Sequence, residues 1–393
     1  MEIKDYEYIL VPNILADYKC SSSGECCKSK WKITIDEVAY EKTKKELEKL
    51  NENIESYMNE ENGEYSTKFS NGYCKFITDD KLCRIHRDFG WDCLSDTCKV
   101  YPRILKLTPR GMEMSLVFSC RSAAKLLLKE EEFEIRKVKK EDLFIMKPSS
   151  IGFIIPENNI PSSPSYRYFE LEKFLIDILK EKDNLGKKVQ YIYEKVYEFF
   201  SLEDIQKYDF EKEIENFKKY RFIKNENTGL NDYIVKTILL KGERSKAVSN
   251  EFINLLKLIK LNNDLEKDKD FLRDDSFSLT IENINEMKEL WNEKDERVLR
   301  NYLLCYIFNK EFYHTKQFAM MKMVMLTGML KFRILLNKKY LKRELTDEEL
   351  IYTIKSHDND FSHDGEFFNQ FYNYGKENID IEDYIRKMIT ILY

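Results

Sequence analysis

The residues in this chain best suited to chemistry are its thiols. Eight of the nine cysteines fall between Cys20 and Cys120, at Cys20, Cys26, Cys27, Cys74, Cys83, Cys93, Cys98 and Cys120, and only Cys305 lies outside. Such clustering points to a local use: disulfides, structural zinc or an iron–sulfur cluster. Structural zinc usually shows knuckles with two to four residues between paired cysteines. Here the spacings are C-x5-C-C, C-x8-C, C-x9-C and C-x4-C, so one interval at most fits. Eight thiols also exceed what a single tetrahedral ion takes. Iron–sulfur clusters accept more varied spacing, which makes a cluster the expectation and zinc its alternative. Ser21, Ser22, Ser23 and Gly24 precede the Cys26-Cys27 pair, and small residues let backbone amides approach bound sulfurs. On an extended backbone adjacent side chains point apart, so one of Cys26 and Cys27 is expected to ligate while the other packs.

Composition narrows the setting. With 34% charged and 42% apolar residues, the chain reads as globular, and 393 residues give room for two domains. A net charge of −5 gives no pull toward nucleic acid. The opening Met1-Glu2-Ile3-Lys4-Asp5 is no signal peptide. The longest apolar run, Phe318 to Leu336, is interrupted by Lys322, Lys331 and Arg333, which argues for a buried helix rather than membrane insertion. A cytoplasmic location is therefore expected, and reduced thiols with it, which demotes disulfides.

The elements that would position these thiols follow in order. Trp31 to Ile35 reads as a short strand, and Asp36 caps a charged helix of about five turns reaching Met58. Glu60 to Gly72 reads as a polar loop. Asp79-Asp80 reads as a turn that brings Cys74 near Cys83. Arg103 to Phe118 reads as a hairpin turning at Thr108-Pro109-Arg110-Gly111. Cys120 opens a short helix to Leu128, and Phe133 to Val138 reads as a strand. Residues 148–165 hold four prolines and read as a linker. Helical spacing then dominates, with apolar repeats from Leu171, Val189, Val298 and Phe318. Thr346 with Glu349 forms a capping box, and Asp383 to Tyr393 closes the chain as a helix. The fold class expected is mainly α: a small α+β cysteine-rich part over 1–147, a linker over 148–165 and a helical domain over 166–393.

Other residues carry weaker signals. Cys305 sits among apolar helix residues and reads as core. His86, three residues after Cys83, reads either as a ligand or, more commonly, as an ordinary surface imidazole. His357 and His363 flank a polar island that reads as the end of the capped helix.

The cysteine block resembles the flagellin lysine-N-methylase family. The residues that carry the resemblance are Cys20-x5-Cys26-Cys27 with Trp31, Cys74-Lys-Phe, Leu82-Cys83-Arg-Ile-His86, Cys98-Lys-Val-Tyr101-Pro102-Arg103, and Ser119-Cys120-Arg-Ser-Ala-Ala. The same third of the chain resembles a wider group of zinc- or iron-chelating cysteine-cluster proteins. The resemblance continues more weakly through Asn301-Tyr302-Leu303, the Met-rich helix and Leu345-Thr346 onward. It implies S-adenosyl-L-methionine-dependent methylation of flagellin lysines in the cytoplasm, and a [4Fe-4S] cluster with Cys20, Cys26, Cys27, Cys74, Cys83, Cys98 and Cys120 as the metal-binding set. The chain departs from that pattern with Arg121-Ser122 and with an extra Cys93.

Neither common signature for this cofactor is present. There is no G-x-G turn of a doubly wound methyltransferase and no C-x3-C-x2-C loop of a radical enzyme. Methyl transfer to an amine needs a neutral lysine held in line with the sulfonium. Aromatic faces suit such a cation, and Tyr101 and Arg103, beside Cys98, are the candidates for the catalytic pocket edge. The alternative function is a non-enzymatic iron–sulfur or zinc-binding module with a helical partner-binding domain.

Overall fold

Two Asn-Gly pairs shape the first third of the chain. Asn62-Gly63 and Asn71-Gly72 all take positive φ, between 52° and 80°, the conformation that tight two-residue hairpins require. Each pair closes a hairpin: β3 (Met58–Glu61) with β4 (Glu64–Thr67), and β5 (Phe69–Ser70) with β6 (Tyr73–Cys74). The expected polar loop over 60–72 is thus two consecutive hairpins. The computed structural model describes residues 7–21, 23–28, 33–143, 153–154, 164–223, 287–313, 316–361, 368–369, 372–373 and 381–392.

Asp36 caps α2 (Glu37–Lys49) by accepting from the Ala39 amide at 2.9 Å. The helix stops earlier than Met58 because Asn51 turns to φ 57° and ends the repeat of helical backbone. A 3-10 turn over Ile54–Ser56 and strand β3 occupy the remainder. The expected strand at 31–35 is described over β2 (Thr34–Ile35), which joins β4 to make a three-stranded sheet ordered β2-β4-β3. Trp31 lies outside the described residues.

The hairpin expected over 103–118 is present as β7 (Arg103–Thr108) and β8 (Gly111–Leu116), turning at Pro109-Arg110. It sits in a five-stranded sheet ordered β10-β7-β8-β1-β9, with β1 (Tyr8–Pro12), β9 (Ile135–Lys139) and β10 (Phe153–Ile154). Strand β1 pairs in parallel with β8 and antiparallel with β9. Of the linker expected at 148–165, only 153–154 and 164–165 are described. Cys120 directly precedes α4 (Arg121–Leu126).

The chain divides into two compact units, Met1–Leu126 with Ile135–Pro156, and Leu127–Glu134 with Glu157–Tyr393. The first holds every strand among the described residues, besides α1 (Asn13–Ala16), α2, α3 (Asp96–Val100) and α4. One of its cores comprises Cys27, Ile33, Ile35, Leu47, Met58, Phe76, Ile85 and their neighbours. Burying each such side chain contributes roughly 1.5–3 kcal/mol.

The second unit is helical and gives the chain its mainly α character. Its helices are α5 (Tyr168–Lys180), α6 (Leu185–Ser201), α7 (Phe210–Lys219), α8 (Glu293–Phe308), α9 (Lys316–Leu341), α10 (Asp347–Phe361) and α11 (Ile381–Leu392). Helix α9 is buried on nearly all sides from Ala319 to Leu336 and packs on α8, α10 and α11. A helix apolar all round takes a central position. Two of its basic residues meet acidic partners, Lys322 with Glu311 at 2.7 Å and Arg333 with Asp360 at 2.9 Å, while Lys331 lies over the Trp291 ring. Lys338 pairs with Asp295 inside the same unit. The Thr346–Glu349 capping box forms, the Thr346 amide donating to the Glu349 carboxylate at 2.9 Å. The carbonyls of Leu127 and Lys129 accept from the Asn301 amide, tying the stretch after α4 into this unit. No helix among the described residues is long and apolar enough to cross a membrane.

Candidate functional site

The first thiol segment is seated by a glycine. Gly24 lies at φ +67°, and a Cβ there would meet the Lys81 carbonyl oxygen at 2.1 Å. Only glycine lets this loop lie against the 78–82 turn. A 3-10 turn, Glu25–Cys27, follows at once and carries both adjacent cysteines. Across from it, the Thr78 amide bonds the Leu82 carbonyl at 2.9 Å, and Ile77 bridges to Cys83. The Ile77 amide in turn donates to the Cys74 carbonyl at 2.9 Å. The turn at Asp79-Asp80 therefore draws Cys74 and Cys83 together, and Gly24 brings Cys26 and Cys27 to the same place.

The electrostatics confirm one neighbourhood. The Cys27 thiol lies between Cys26 and Cys83. Its hydrogen bonds to them hold each down to about 7, while its own thiol is pushed strongly up. Burial pushes the Cys74 thiol up to about 11, and the sulfurs of Cys83 and Cys26 add to that. Cys98 is an exposed residue, yet desolvation at its sulfur pushes the thiol up, with contributions from Cys83, Cys74 and Cys26. These links join five thiols: Cys27 bonds Cys26 and Cys83 directly, and Cys74 and Cys98 each feel the sulfurs of Cys83 and Cys26. Of the adjacent pair, Cys26 reaches the surface while Cys27 belongs to the core.

Donors are aimed at these sulfurs. The backbone amides of Ile85 and His86 serve Cys83, that of Phe76 serves Cys74, and those of Cys26 and Cys27 serve Cys26. Ser95 caps α3 by accepting from the Cys98 amide at 3.2 Å, and its hydroxyl also lies beside the Cys98 sulfur. His86 acts here through its backbone: its ring is exposed and meets the edge of Trp91 at 5.7 Å. Arg84, next to Cys83, makes a two-pronged bond to Glu52 at 2.8 and 2.6 Å and donates to the Tyr57 hydroxyl at 2.9 Å. That bond holds the Glu52 carboxyl down to about 2. The Cys83 segment is thereby fastened to the chain that follows α2. The extra Cys93 is buried in the core, its carbonyl accepting from Thr43 at 3.1 Å, and charged side chains rather than thiols are its main electrostatic neighbours.

Cys20 and Cys120 form a second neighbourhood. Ser21 and Ser122 join their segments, the Ser21 amide donating to the Ser122 hydroxyl at 3.2 Å and that hydroxyl donating to the Ser21 hydroxyl at 2.8 Å. The Tyr18 hydroxyl lies 3.7 Å from the Cys120 sulfur, and the Arg103 guanidinium lies 5.0 Å from the centre of the Tyr18 ring. Cys20 and Cys120 are both electrostatic neighbours of Arg103, whose burial pulls its pKa down. The Nε of Arg103 is shielded from water and has no hydrogen-bond partner among the described residues. Tyr101 reaches Ser119, their hydroxyls 3.2 Å apart.

The donor chemistry of the five-thiol group fits a thiolate-bound metal group. The side chains are all sulfur, they outnumber the four ligands a cluster takes, and several have amides directed at them. As placed, the described residues form no set of three or more His, Cys, Asp or Glu ready to hold a metal ion. What the fold gathers is a supply of ligands rather than a finished coordination sphere. The shielded Arg103 Nε fits an anionic group such as a carboxylate.

Elsewhere, Cys305 is buried within α8, where burial pushes its thiol up. His357 is not in a helix-end loop. It lies inside α10 at 0% exposure, because the capped helix runs on to Phe361. His363 lies outside the described residues. Sequence reasoning missed Tyr18 and Arg84, and it read Gly24 as a small residue beside the sulfurs rather than as the seat against the Lys81 carbonyl.

Comparison with known proteins finds curated relatives under two names. The chain is 27% identical over 131 residues to the flagellar biosynthetic protein FliU of Salmonella muenchen, covering 31% of this chain and 77% of that protein. It is 27% identical over 134 residues to the lysine-N-methylases of Salmonella typhimurium and Salmonella choleraesuis, covering 31% of this chain and 32% of each relative. The chain thus resembles lysine-N-methylases, over about a third of their length and a third of its own. No family model matches, and no solved structure matches.

Proposed function

We propose that this protein is a cytoplasmic S-adenosyl-L-methionine-dependent protein-lysine N-methyltransferase acting on flagellin, and that its N-terminal thiols hold a [4Fe-4S] cluster. The observation that carries the reading is the similarity to two lysine-N-methylases, beside which stands the similarity to a flagellar biosynthetic protein. The five-thiol group supports the cluster. Cys26, Cys27, Cys74, Cys83 and Cys98 are the residues that would supply its ligands, and the cluster would tie three segments of the first unit together.

The transfer itself breaks the bond between methyl carbon and sulfonium sulfur as the lysine Nζ attacks that carbon. A proton leaves the nitrogen, and S-adenosylhomocysteine departs. The protein must keep the amine neutral, which desolvation or a nearby positive charge achieves. It must also hold donor and acceptor in line. Tyr101 and Arg103 are the candidates for the pocket edge, and the aromatic faces of Tyr18 and Tyr101 suit a sulfonium.

The test is mass spectrometry of flagellin incubated with anaerobically prepared protein and S-adenosyl-L-methionine. Lysine-bearing peptides should gain mass in steps of one methyl group, and the gain should vanish in Cys83→Ser. Metal-loaded protein that leaves flagellin unchanged would overturn the enzyme reading and favour a metal-binding module.

A further inference from the structure

We propose that Arg103 is the anchor of a carboxylate-binding site, walled by Tyr18, Cys20 and Cys120, that takes the α-carboxylate of the methyl donor. The inference rests on the methyl-transfer reading above and locates the cofactor's amino-acid part.

Arg103 opens β7, where it pairs with Leu116 of β8, so its backbone is fixed by the largest sheet in the first unit. Its side chain lies 5.0 Å from the Tyr18 ring centre and is half-buried. A guanidinium withdrawn from water is normally matched by a carboxylate. The unit's other well-placed arginines obey that rule: Arg84 bonds Glu52 and Arg110 bonds Glu113 at 2.9 Å. Arg103 has no such carboxylate among the described residues, and its Nε–H has no acceptor. An unpaired, shielded donor is costly, and a fold tolerates it where an external group supplies the acceptor.

The geometry of the guanidinium selects that group. Nε and one Nη form a planar fork that matches the two oxygens of a carboxylate. The surrounding walls are a phenol ring and two sulfur-bearing side chains, Cys20 and Cys120, held together through Ser21 and Ser122. Aromatic and sulfur surfaces accept the sulfonium that lies three carbons from the carboxylate in this cofactor, and they bring no carboxylate of their own to compete for Arg103. The site belongs to the Cys20–Cys120 neighbourhood, so it is separate from the five thiols gathered about Cys27.

The test is equilibrium binding of S-adenosylhomocysteine, 5′-methylthioadenosine and free methionine to the full chain and to Arg103→Gln, with iron content measured on both. Methylthioadenosine keeps the nucleoside and lacks the carboxylate; methionine is the reverse. The proposal expects S-adenosylhomocysteine to weaken by about tenfold to a hundredfold in Arg103→Gln. Methylthioadenosine should bind both proteins alike, iron should be unchanged, and Arg103→Lys should recover part of the loss. Equal binding of S-adenosylhomocysteine to both proteins would overturn the carboxylate site and leave the methyl-transfer reading standing. Parallel weakening of all ligands, or loss of iron, would make Arg103 a structural residue and overturn it too. Failure of the unaltered protein to bind S-adenosylhomocysteine would overturn both readings. Methionine bound as tightly as S-adenosylhomocysteine, and lost with Arg103, would make the occupant a free amino acid instead.

Discussion

Gly24 is the residue on which the thiol group turns. Its replacement by alanine places a methyl against a backbone carbonyl that cannot swing aside, at a φ that side chains seldom adopt. Gly24→Ala is expected to destabilise the first unit by roughly 1–3 kcal/mol and to cut iron retention in anaerobically purified protein, read by denaturant titration and metal analysis. Alanine at Gly72, also at positive φ but with open space around it, controls for backbone strain and should leave iron unchanged. A second residue-scale expectation concerns pH. The Glu52 carboxyl is held to about 2 by Arg84, well below its ordinary value of 4.5. A depressed carboxyl contributes stability above the ordinary pKa, and that stability is lost as pH falls from about 4.5 toward 2. The pair is partly exposed, so solvent screening limits it to about 1 kcal/mol. Glu52→Gln should therefore be less stable than the parent at pH 7, and the gap should narrow below pH 4.5 and close near pH 2. A gap independent of pH would show that packing rather than charge distinguishes the two.

At the scale of elements, the sequence announces its helices more clearly than its strands. The capping box at Thr346, the Asp36 cap and the apolar repeats in the second half all stand where residue spacing puts them, since 3.6-residue periodicity survives over long stretches. Strands of two to six residues offer no such length. Two hairpins over 58–74 were nonetheless legible in Asn62-Gly63 and Asn71-Gly72. The surrounding Glu, Asn and Ser residues made the stretch read as loop, because polarity masks turn chemistry when the strands are short and half-exposed. The meeting of Cys74 with Cys83 followed from one local turn and could be read. The meeting of both with Cys26 and Cys27 depends on Gly24 and Lys81, a contact across more than fifty residues that no spacing rule reaches. His357 failed for another reason: charged neighbours made the last helical turn look like a loop. In the helical unit, Arg333 and Asp360 form a buried pair. Asp360→Asn removes the charged carboxylate from this buried guanidinium and should cost about 3–5 kcal/mol, seen as a lowered thermal midpoint. A change below 1 kcal/mol would mean that water reaches the pair.

Over the whole molecule, chemistry and bulk are distributed unevenly. The first unit contains eight of the nine cysteines and all the described strands, while the second contributes helices organised on the buried α9. If the thiols serve one metal group, their consequences are collective. Serine at Cys26, Cys74, Cys83 or Cys98 should reduce bound metal, whereas serine at Cys93 or Cys305, each buried with no thiol among its electrostatic neighbours, should not. Those two variants instead carry a packing penalty, visible in unfolding alone. The most direct measurement is iron and acid-labile sulfide analysis, with electron paramagnetic resonance of the reduced protein, on anaerobically purified parent, Cys83→Ser and Cys305→Ser. The account predicts a [4Fe-4S] signal with matching iron and sulfide in the parent and in Cys305→Ser, and its loss in Cys83→Ser. Colourless parent protein carrying zinc, or a cluster that persists undiminished in Cys83→Ser, would contradict it.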